Sequence, residues 1–407
     1  MTGRVVIITG ANSGIGFEAA RLLCEGGNDV ILACRNEDKG KAAVEKILSK
    51  NPNALATFMQ MDLADKASIH KFVEDFHKTE KKLHVLINNA GCFLNPKETK
   101  RQFTKDNFEL TMGTNHLGPF LLTNLLLPDL KKTGEENGDS RIVTVTTHLH
   151  DKSVTRRRPV VENLDIDNFF LEKENTYNSH QAYKNSKLAN IMFTYELAKQ
   201  LENTGVTANC LCPGFIPTTE LTRSTSSAQR FYRKFVLHGL LRFTKMTRTV
   251  EQGAKALVEM ATGEKLKSVN GKYYKEHQEL KSSEESQNEE MQKKVWDLSA
   301  RYCHLEGFEA LDAPVPPPPE EPKEKSKEKS KSEEEKKEGG EEKAEEDKSE
   351  KTEEKAKDSE EKEGDKEATE TAPAETEEAP KKVEEEDDLK KATPATEITP
   401  AATEVAA

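Results

Sequence analysis

Nowhere in its 407 residues does the chain hold a run of 18 consecutive apolar residues, so no segment has the makeup of a spanning helix. No secretory pattern precedes the first apolar run, which begins within a few residues of Met1; an N-terminal anchor is not expected. Cysteine is scarce and unpatterned: Cys24, Cys34, Cys92, Cys210, Cys212 and Cys303 include no CxxC pair and no framework spacing. That excludes a disulfide scaffold, fits a reducing compartment and leaves each thiol as a small buried hydrophobe. From Ala313 onward there is no Phe, Tyr or Trp and hardly any Val, Ile or Leu. Such a segment cannot bury enough apolar area to offset its ordering entropy, so residues 313–407 are expected to be a disordered Lys/Glu-rich acidic tail. The tail holds 33 acidic against 18 basic residues, which makes it the source of the net charge of −12 and leaves the body nearly neutral.

What remains, residues 1–312, is long enough for one α/β domain. Arg4 to Thr9 reads as a strand, Gly14 to Glu25 as a helix, Asp29 to Ala33 as a strand and Glu37 to Leu48 as a helix. The alternation continues through Thr57 to Met61, Ser68 to Phe76 and His84 to Asn88. A helix over Asn115 to Leu127, a strand over Arg141 to Thr147, a helix over Gln181 to Leu201 and a strand over Val206 to Cys212 follow. Val250 to Ala261 (helix) and Gly271 to Tyr274 (strand) complete the set. This order predicts a doubly wound parallel sheet of about seven strands, with ligands at the carboxyl ends of the strands.

Thr9-Gly10-Ala11-Asn12-Ser13-Gly14-Ile15-Gly16 follows the first strand directly and opens the first helix. Gly10, Asn12, Ser13, Gly14, Ile15 and Gly16 are therefore candidates for a dinucleotide turn, in which glycines let the backbone approach a pyrophosphate at the helix N-terminus. At the end of the second strand, where an NAD site would carry an acidic residue, Cys34 is followed by Arg35. A guanidinium can pair with a 2'-phosphate that a carboxylate would repel, which favours NADP(H).

The Gly-rich turn, Asn88-Asn89-Ala90-Gly91, Asn115 and Tyr183-Lys184-Asn185-Ser186-Lys187 stand in one order at suitable distances. Together they resemble the short-chain dehydrogenase/reductase family, whose fold is of the Rossmann type. Tyr183-x-x-Ser186-Lys187-Leu188-Ala189-Asn190, Val269-Asn270-Gly271-Lys272-Tyr273-Tyr274 and a terminal helix at Trp296 look like its retinol dehydrogenase branch. The resemblance covers residues 1 to about 308. It implies Asp62 and Leu63 beside the adenine, Asn89, Ala90 and Gly91 along the cofactor ribose, and Pro213, Gly214, Ile216 and Thr218 around the nicotinamide amide.

Reducing a carbonyl by hydride leaves an alkoxide, which needs a proton donor and a polarising hydrogen bond. Tyr183 can supply the proton, and Lys187, one helical turn on, is expected to favour the phenolate. The resemblance also gives Lys187 the nicotinamide ribose hydroxyls and Asn115 a water that relays protons to Lys187. Val145-Thr146-Thr147-His148-Leu149-His150 departs from the family: Thr147 stands where a substrate-binding serine is expected. Its hydroxyl can still donate, but the β-branch adds a methyl to the pocket. His148 and His150 read as packing or surface residues, and no metal site is expected.

The stretch between Thr147 and Tyr183 is longer than that branch leads one to expect. Its Arg156-Arg157-Arg158 run reads as a solvated cluster, and Asn168-Phe169-Phe170-Leu171 is expected at the pocket mouth because active-site residues flank the loop. Gln229 to Arg248 interleaves Phe231, Phe235 and Leu240 with Arg230, Arg233 and Lys234. It reads as a substrate lid, with peripheral membrane contact as the alternative. Pro316 to Pro319 reads as a stiff spacer opening the tail, whose partner is not named by the sequence. The expectation is a cytoplasmic oxidoreductase acting with NADP(H) on a lipophilic carbonyl or alcohol such as a retinoid, with no nucleic-acid partner and with homo-oligomerisation open. The competing reading is a nucleotide-binding interaction protein with little catalysis.

Overall fold

The computed structural model describes residues 3–95, 98–155, 162–217 and 247–314. Arg156-Arg157-Arg158, Thr218, positions 229–246 of the expected lid, Pro316 to Pro319 and the tail after position 314 lie outside the described residues.

Side chains of β1 (Val5–Thr9) alternate between two buried clusters, Ile7 in one and Val6 and Ile8 in the other, the pattern of a strand covered on both faces. It pairs in parallel with β2 (Asp29–Cys34), which pairs with β3 (Leu55–Gln60). On its other side lie β4 (Val85–Asn88), β5 (Ser140–Val145), β6 (Val206–Cys212) and β7 (Tyr273–Lys275), all parallel. The short β8 (Gln278–Leu280) closes that edge antiparallel to β7, giving the order β3-β2-β1-β4-β5-β6-β7-β8. Seven parallel strands match the expected sheet; β8 is an addition to it. The order reverses between β1 and β4, where their carboxyl ends open a crevice.

One face is covered by α1 (Gly14–Glu25), α2 (Glu37–Leu48) and a late helix, Val250–Thr262, through Leu23, Ile47 and Leu257. The other is covered by α3 (Lys66–His77), by a helical stretch made of α4 (Leu110–Met112), a π-turn (Gly113–Leu117) and α5 (Gly118–Asn137), and by α6 (Ser179–Gln200). Val250–Thr262 is α7, and Glu289–Tyr302, the last helix among the described residues, is α8. Trp296 of α8 packs edge-on to Phe120 and stacks on Phe193, which buries α6 on nearly every side. Among the described residues no helix is long and apolar enough to cross a membrane.

Two expectations change. The helix expected over Asn115 to Leu127 starts earlier, at Leu110, passes Asn115 in a π-turn and runs on past Pro128 to Asn137. Asn168-Phe169-Phe170-Leu171 is core and not pocket mouth: Phe170 stacks on Phe108 at 5.4 Å and meets Tyr302 at 4.9 Å, while Phe169 faces His116 at 6.0 Å. The end of α8 offers these rings an aromatic cleft, and burying them there outweighs leaving them in water.

At the amino end of the sheet, away from the crevice, Asp139 holds Arg141 through two bonds of 2.7 and 2.9 Å. Asp139 also pairs with Arg4. Arg141 and Arg4 together cap the last carbonyls of α7, at Met260, Ala261 and Gly263.

Candidate active site

Gly10 (φ 67°) and Gly14 (φ 57°) both lie in the left-handed region that side chains disfavour. A Cβ at Gly16 would stand 2.5 Å from Nδ2 of Asn89 and 2.7 Å from the carbonyl of Gly10, so α1 approaches the turn as closely as glycine allows. Thr9 joins this turn to the one after β4. Its Oγ1 accepts from the amides of Asn89 (3.0 Å) and Ala90 (2.9 Å), and its carbonyl accepts from Asn89 Nδ2 at 2.9 Å. At the start of α1, Ser13 makes no side-chain cap and the first turn carries no acidic residue. The leading amides and the positive end of the helix dipole are thus left for an anion.

The remaining cofactor candidates surround this cradle. Asn12 and Ala11 direct backbone amides at the buried thiol of Cys34, beyond which Arg35 is exposed, without an ion-pair partner among the described residues. The amide of Met61 bonds the carbonyl of Cys34 at 3.0 Å, which sets Asp62 and Leu63 at the neighbouring strand end. There the Asp62 carboxylate accepts from the Ala64 amide at 3.0 Å. Pro213, Gly214 (φ 85°) and Ile216 follow β6. A Cβ at Gly253 would meet Ile216 Cδ1 at 2.5 Å, Pro213 Cβ at 3.4 Å and Ile15 Cδ1 at 3.6 Å, so this loop folds back on the start of α1. The glycine cradle and the uncapped helix end fit a dinucleotide pyrophosphate.

The reacting groups come from α6, β5 and the π-turn. Spacings of three and four residues put Tyr183, Ser186, Lys187 and Asn190 on one buried face of α6. Lys187 Nζ donates to the carbonyl of Val145 at 2.9 Å. A Cβ at Gly91 would lie 3.3 Å from Asn115 Oδ1 and 3.5 Å from Lys187 Nζ, which brings both groups to the end of the Asn-Asn-Ala-Gly turn. The Asn115 side chain braces this junction: Oδ1 accepts from the Cys92 amide at 2.7 Å, and Nδ2 donates to the Cys92 carbonyl (2.9 Å) and to Ser186 Oγ (3.1 Å). Both amide hydrogens are committed.

Tyr183 is 6% exposed and lies against Phe93, with ring centroids 4.6 Å apart. Burial pushes its phenol above the ordinary tyrosine range, with the neighbouring thiols of Cys212 and Cys92 adding to the rise. Burial also pulls Lys187 down to about 8. Both shifts have burial as their first cause, because both groups sit in a site shielded from water. The protonated phenol is the resting form at neutral pH.

Thr146, just past β5, turns inward and donates to the Lys187 carbonyl at 3.1 Å, whereas Thr147 is partly exposed and its Oγ1 accepts from the Leu149 amide at 3.3 Å. The Thr147 carbonyl accepts from His150 Nδ1 at 2.6 Å, and His150 Nε2 accepts from the Ser283 amide at 3.1 Å. That pairing requires a neutral ring, in keeping with the downward shift burial gives His150. His150 is a packing residue, as expected, and His148 lies 3.8 Å from Cys212 Sγ. Phe93, Cys92, Cys212 and the Val145 carbonyl were not among the candidate site residues. Cys92 and Phe93 follow the Asn-Asn-Ala-Gly turn immediately, the only signal that could have drawn them in.

Crevice, cradle and buried Tyr/Lys pair define a nucleotide-dependent oxidoreductase of the doubly wound class. A family model described as short chain dehydrogenase matches residues 4–156 and 172–230. The chain belongs to the short-chain dehydrogenase/reductase family and is retinol dehydrogenase-like. Retinol dehydrogenase 11 of Mus musculus is 38% identical over 308 residues, 76% of this chain and 88% of that protein. The polyprenol dehydrogenase of Homo sapiens is 37% identical over 306 residues, 75% of this chain and 85% of that protein. Among solved structures, a blue fluorescent protein from a metagenomic library in complex with NADPH superposes with a TM-score of 0.50 at 25% identity, covering 67% of this chain and 96% of that one. With the family come an oxidoreductase activity and a nicotinamide dinucleotide cofactor.

Proposed function

We propose that the chain is a cytoplasmic, NADP(H)-dependent enzyme that interconverts a lipophilic carbonyl compound and its alcohol. One observation carries the reading: Lys187 Nζ and Asn115 Oδ1 converge beside Gly91 at the sheet's switch point, and Lys187 shares a face of α6 with the buried Tyr183. When bound, the reduced nicotinamide would supply a hydride to the carbonyl carbon. Tyr183 donates its proton to the oxygen on which charge develops, and Thr147 Oγ1 hydrogen-bonds the same oxygen. Lys187, near 8, replaces the phenolic proton and orients the cofactor ribose. Asn115 fixes the loop against which Lys187 works. Exposed Arg35 beside Cys34, where a carboxylate would disfavour a 2'-phosphate, supports NADP(H). Phe93 against Tyr183, an exposed Phe215 after Pro213-Gly214 and the retinol and polyprenol relatives support an apolar substrate.

Oxidation of NADPH and NADH by the purified full chain, followed across retinoid, isoprenoid, steroid and short aldehydes, tests the proposal. Turnover of long apolar aldehydes with NADPH preferred is expected. Binding of NADPH with no turnover of any carbonyl would make the chain a nucleotide-binding interaction protein instead.

A further inference from the structure

The π-turn carries more than Asn115. At this bulge the Asn115 carbonyl accepts from the side chain of Asn190, Nδ2 to O 2.9 Å. That bond fixes which way the Asn190 amide points, so its Oδ1 faces Nδ1 of His116 at 3.1 Å. His116 is fully buried among the rings of Phe120, Phe169 and Phe193, and burial lowers it to about 4. A neutral ring that donates from Nδ1 to Asn190 accepts at Nε2, and Ser299 Oγ of α8 stands there at 2.8 Å. Ser299 Oγ is also 2.6 Å from the Val295 carbonyl, so its single proton is shared between two acceptors.

An imidazole in an aromatic cage is costly unless every polar atom is bonded, and a phenylalanine would fill the space without that cost. Here the Nδ1 bond leads through Asn190 to Asn115, whose side chain in turn ties Cys92 to Ser186, and the Nε2 bond leads out to α8. π-turns recur at functional sites. We propose that Asn190 and His116 are positioning residues that hold Asn115 in register with Lys187, with Ser299 of α8 as their outer anchor. The catalytic consequence rests on the oxidoreductase reading above; the positioning does not.

Two variants at one site separate positioning from packing. The amide of His116→Asn reaches the place of Nδ1 and keeps the bond to Asn190; that of His116→Gln reaches the place of Nε2 and keeps only the bond to Ser299. Both lose the ring, so both should lower Tm similarly. His116→Asn should keep kcat within about threefold of wild type, whereas His116→Gln and Asn190→Leu should lose about tenfold or more in kcat with KM little moved. Hydrogen exchange of the Cys92 amide, which is bonded to Asn115, should quicken in His116→Gln and Asn190→Leu and stay slow in His116→Asn. If kcat fell equally in both histidine variants, or if Cys92 exchange were unchanged in Asn190→Leu or His116→Gln, the positioning role would be overturned. A wild-type chain that binds NADPH without turning over any carbonyl would refute the oxidoreductase reading alone, and the exchange comparison would still decide the positioning.

Discussion

Gly16→Ala sets two effects against each other. At the third position of α1 the change favours folding by at most about 1 kcal/mol through propensity. The new Cβ, however, would stand 2.5 Å from Asn89 Nδ2, 2.7 Å from the Gly10 carbonyl and 3.2 Å from Ala11 Cα. Two of these neighbours are backbone and the third is held by Thr9, so none can swing aside freely. Opening the contacts to ordinary distances requires a shift of ~1 Å, and overpacking of that kind costs about 1–3 kcal/mol. The net loss of stability is therefore small, about 0–2 kcal/mol. Cofactor binding should suffer more, because the shift falls on the turn that meets the pyrophosphate, where losing one hydrogen bond to a charged group costs about 1.5–3 kcal/mol, roughly 10- to 100-fold. Fluorescence titration should show NADPH affinity reduced by about 10- to 100-fold, with urea midpoints little changed. Gly26→Ala, at the other end of α1 with its nearest neighbour 3.3 Å away, is the control. An unchanged Kd in Gly16→Ala would refute the placement of the cofactor on this turn.

Arg35→Ala should weaken NADPH binding about tenfold and leave NADH nearly unaffected, since a charge-assisted bond to the 2'-phosphate is all it removes; equal loss for both cofactors in titration would refute that contact. Asp139→Ala leaves Arg141 buried without its carboxylate and should cost about 3–5 kcal/mol in urea unfolding, a result that a loss below about 1 kcal/mol would contradict. His116 and His150 have folded values below their unfolded ones, so the stability they contribute is complete above about pH 6.5 and is lost as pH falls. For His116, whose folded value is about 4, the contribution lost between those limits is on the order of 3 kcal/mol. His116→Asn should flatten the fall in stability from pH 6.5 toward 4, and an unaltered slope would refute the neutral buried ring.

The Gly-rich turn, the alternation of elements and the Tyr183/Lys187 spacing were legible because each is a local pattern with a local cause. Val206 to Cys212 and Glu37 to Leu48 were read to the residue for the same reason. What could not be read depends on distant partners. The π-turn exists where Asn190, 75 positions away from Asn115, meets its carbonyl. Phe169 and Phe170 look like a loop hydrophobe pair until the end of α8 supplies their cleft. The upward shift of Tyr183 comes from burial by segments that no i, i+4 spacing reveals. β8 is three exposed residues, too short to carry a period.

In the proposed reaction the hydroxyls of Tyr183 and Thr147 act on one carbonyl oxygen. Single-turnover oxidation of bound NADPH by the best aldehyde, compared among wild type, Thr147→Ser, Thr147→Val and Tyr183→Phe, tests it most directly. Thr147→Ser keeps the donor and removes the methyl, so its rate should equal or exceed that of wild type. Thr147→Val and Tyr183→Phe should each be slower by on the order of 10² with NADPH still bound. Wild-type NADPH oxidation no faster than that of Tyr183→Phe would contradict a proton-donating role for Tyr183.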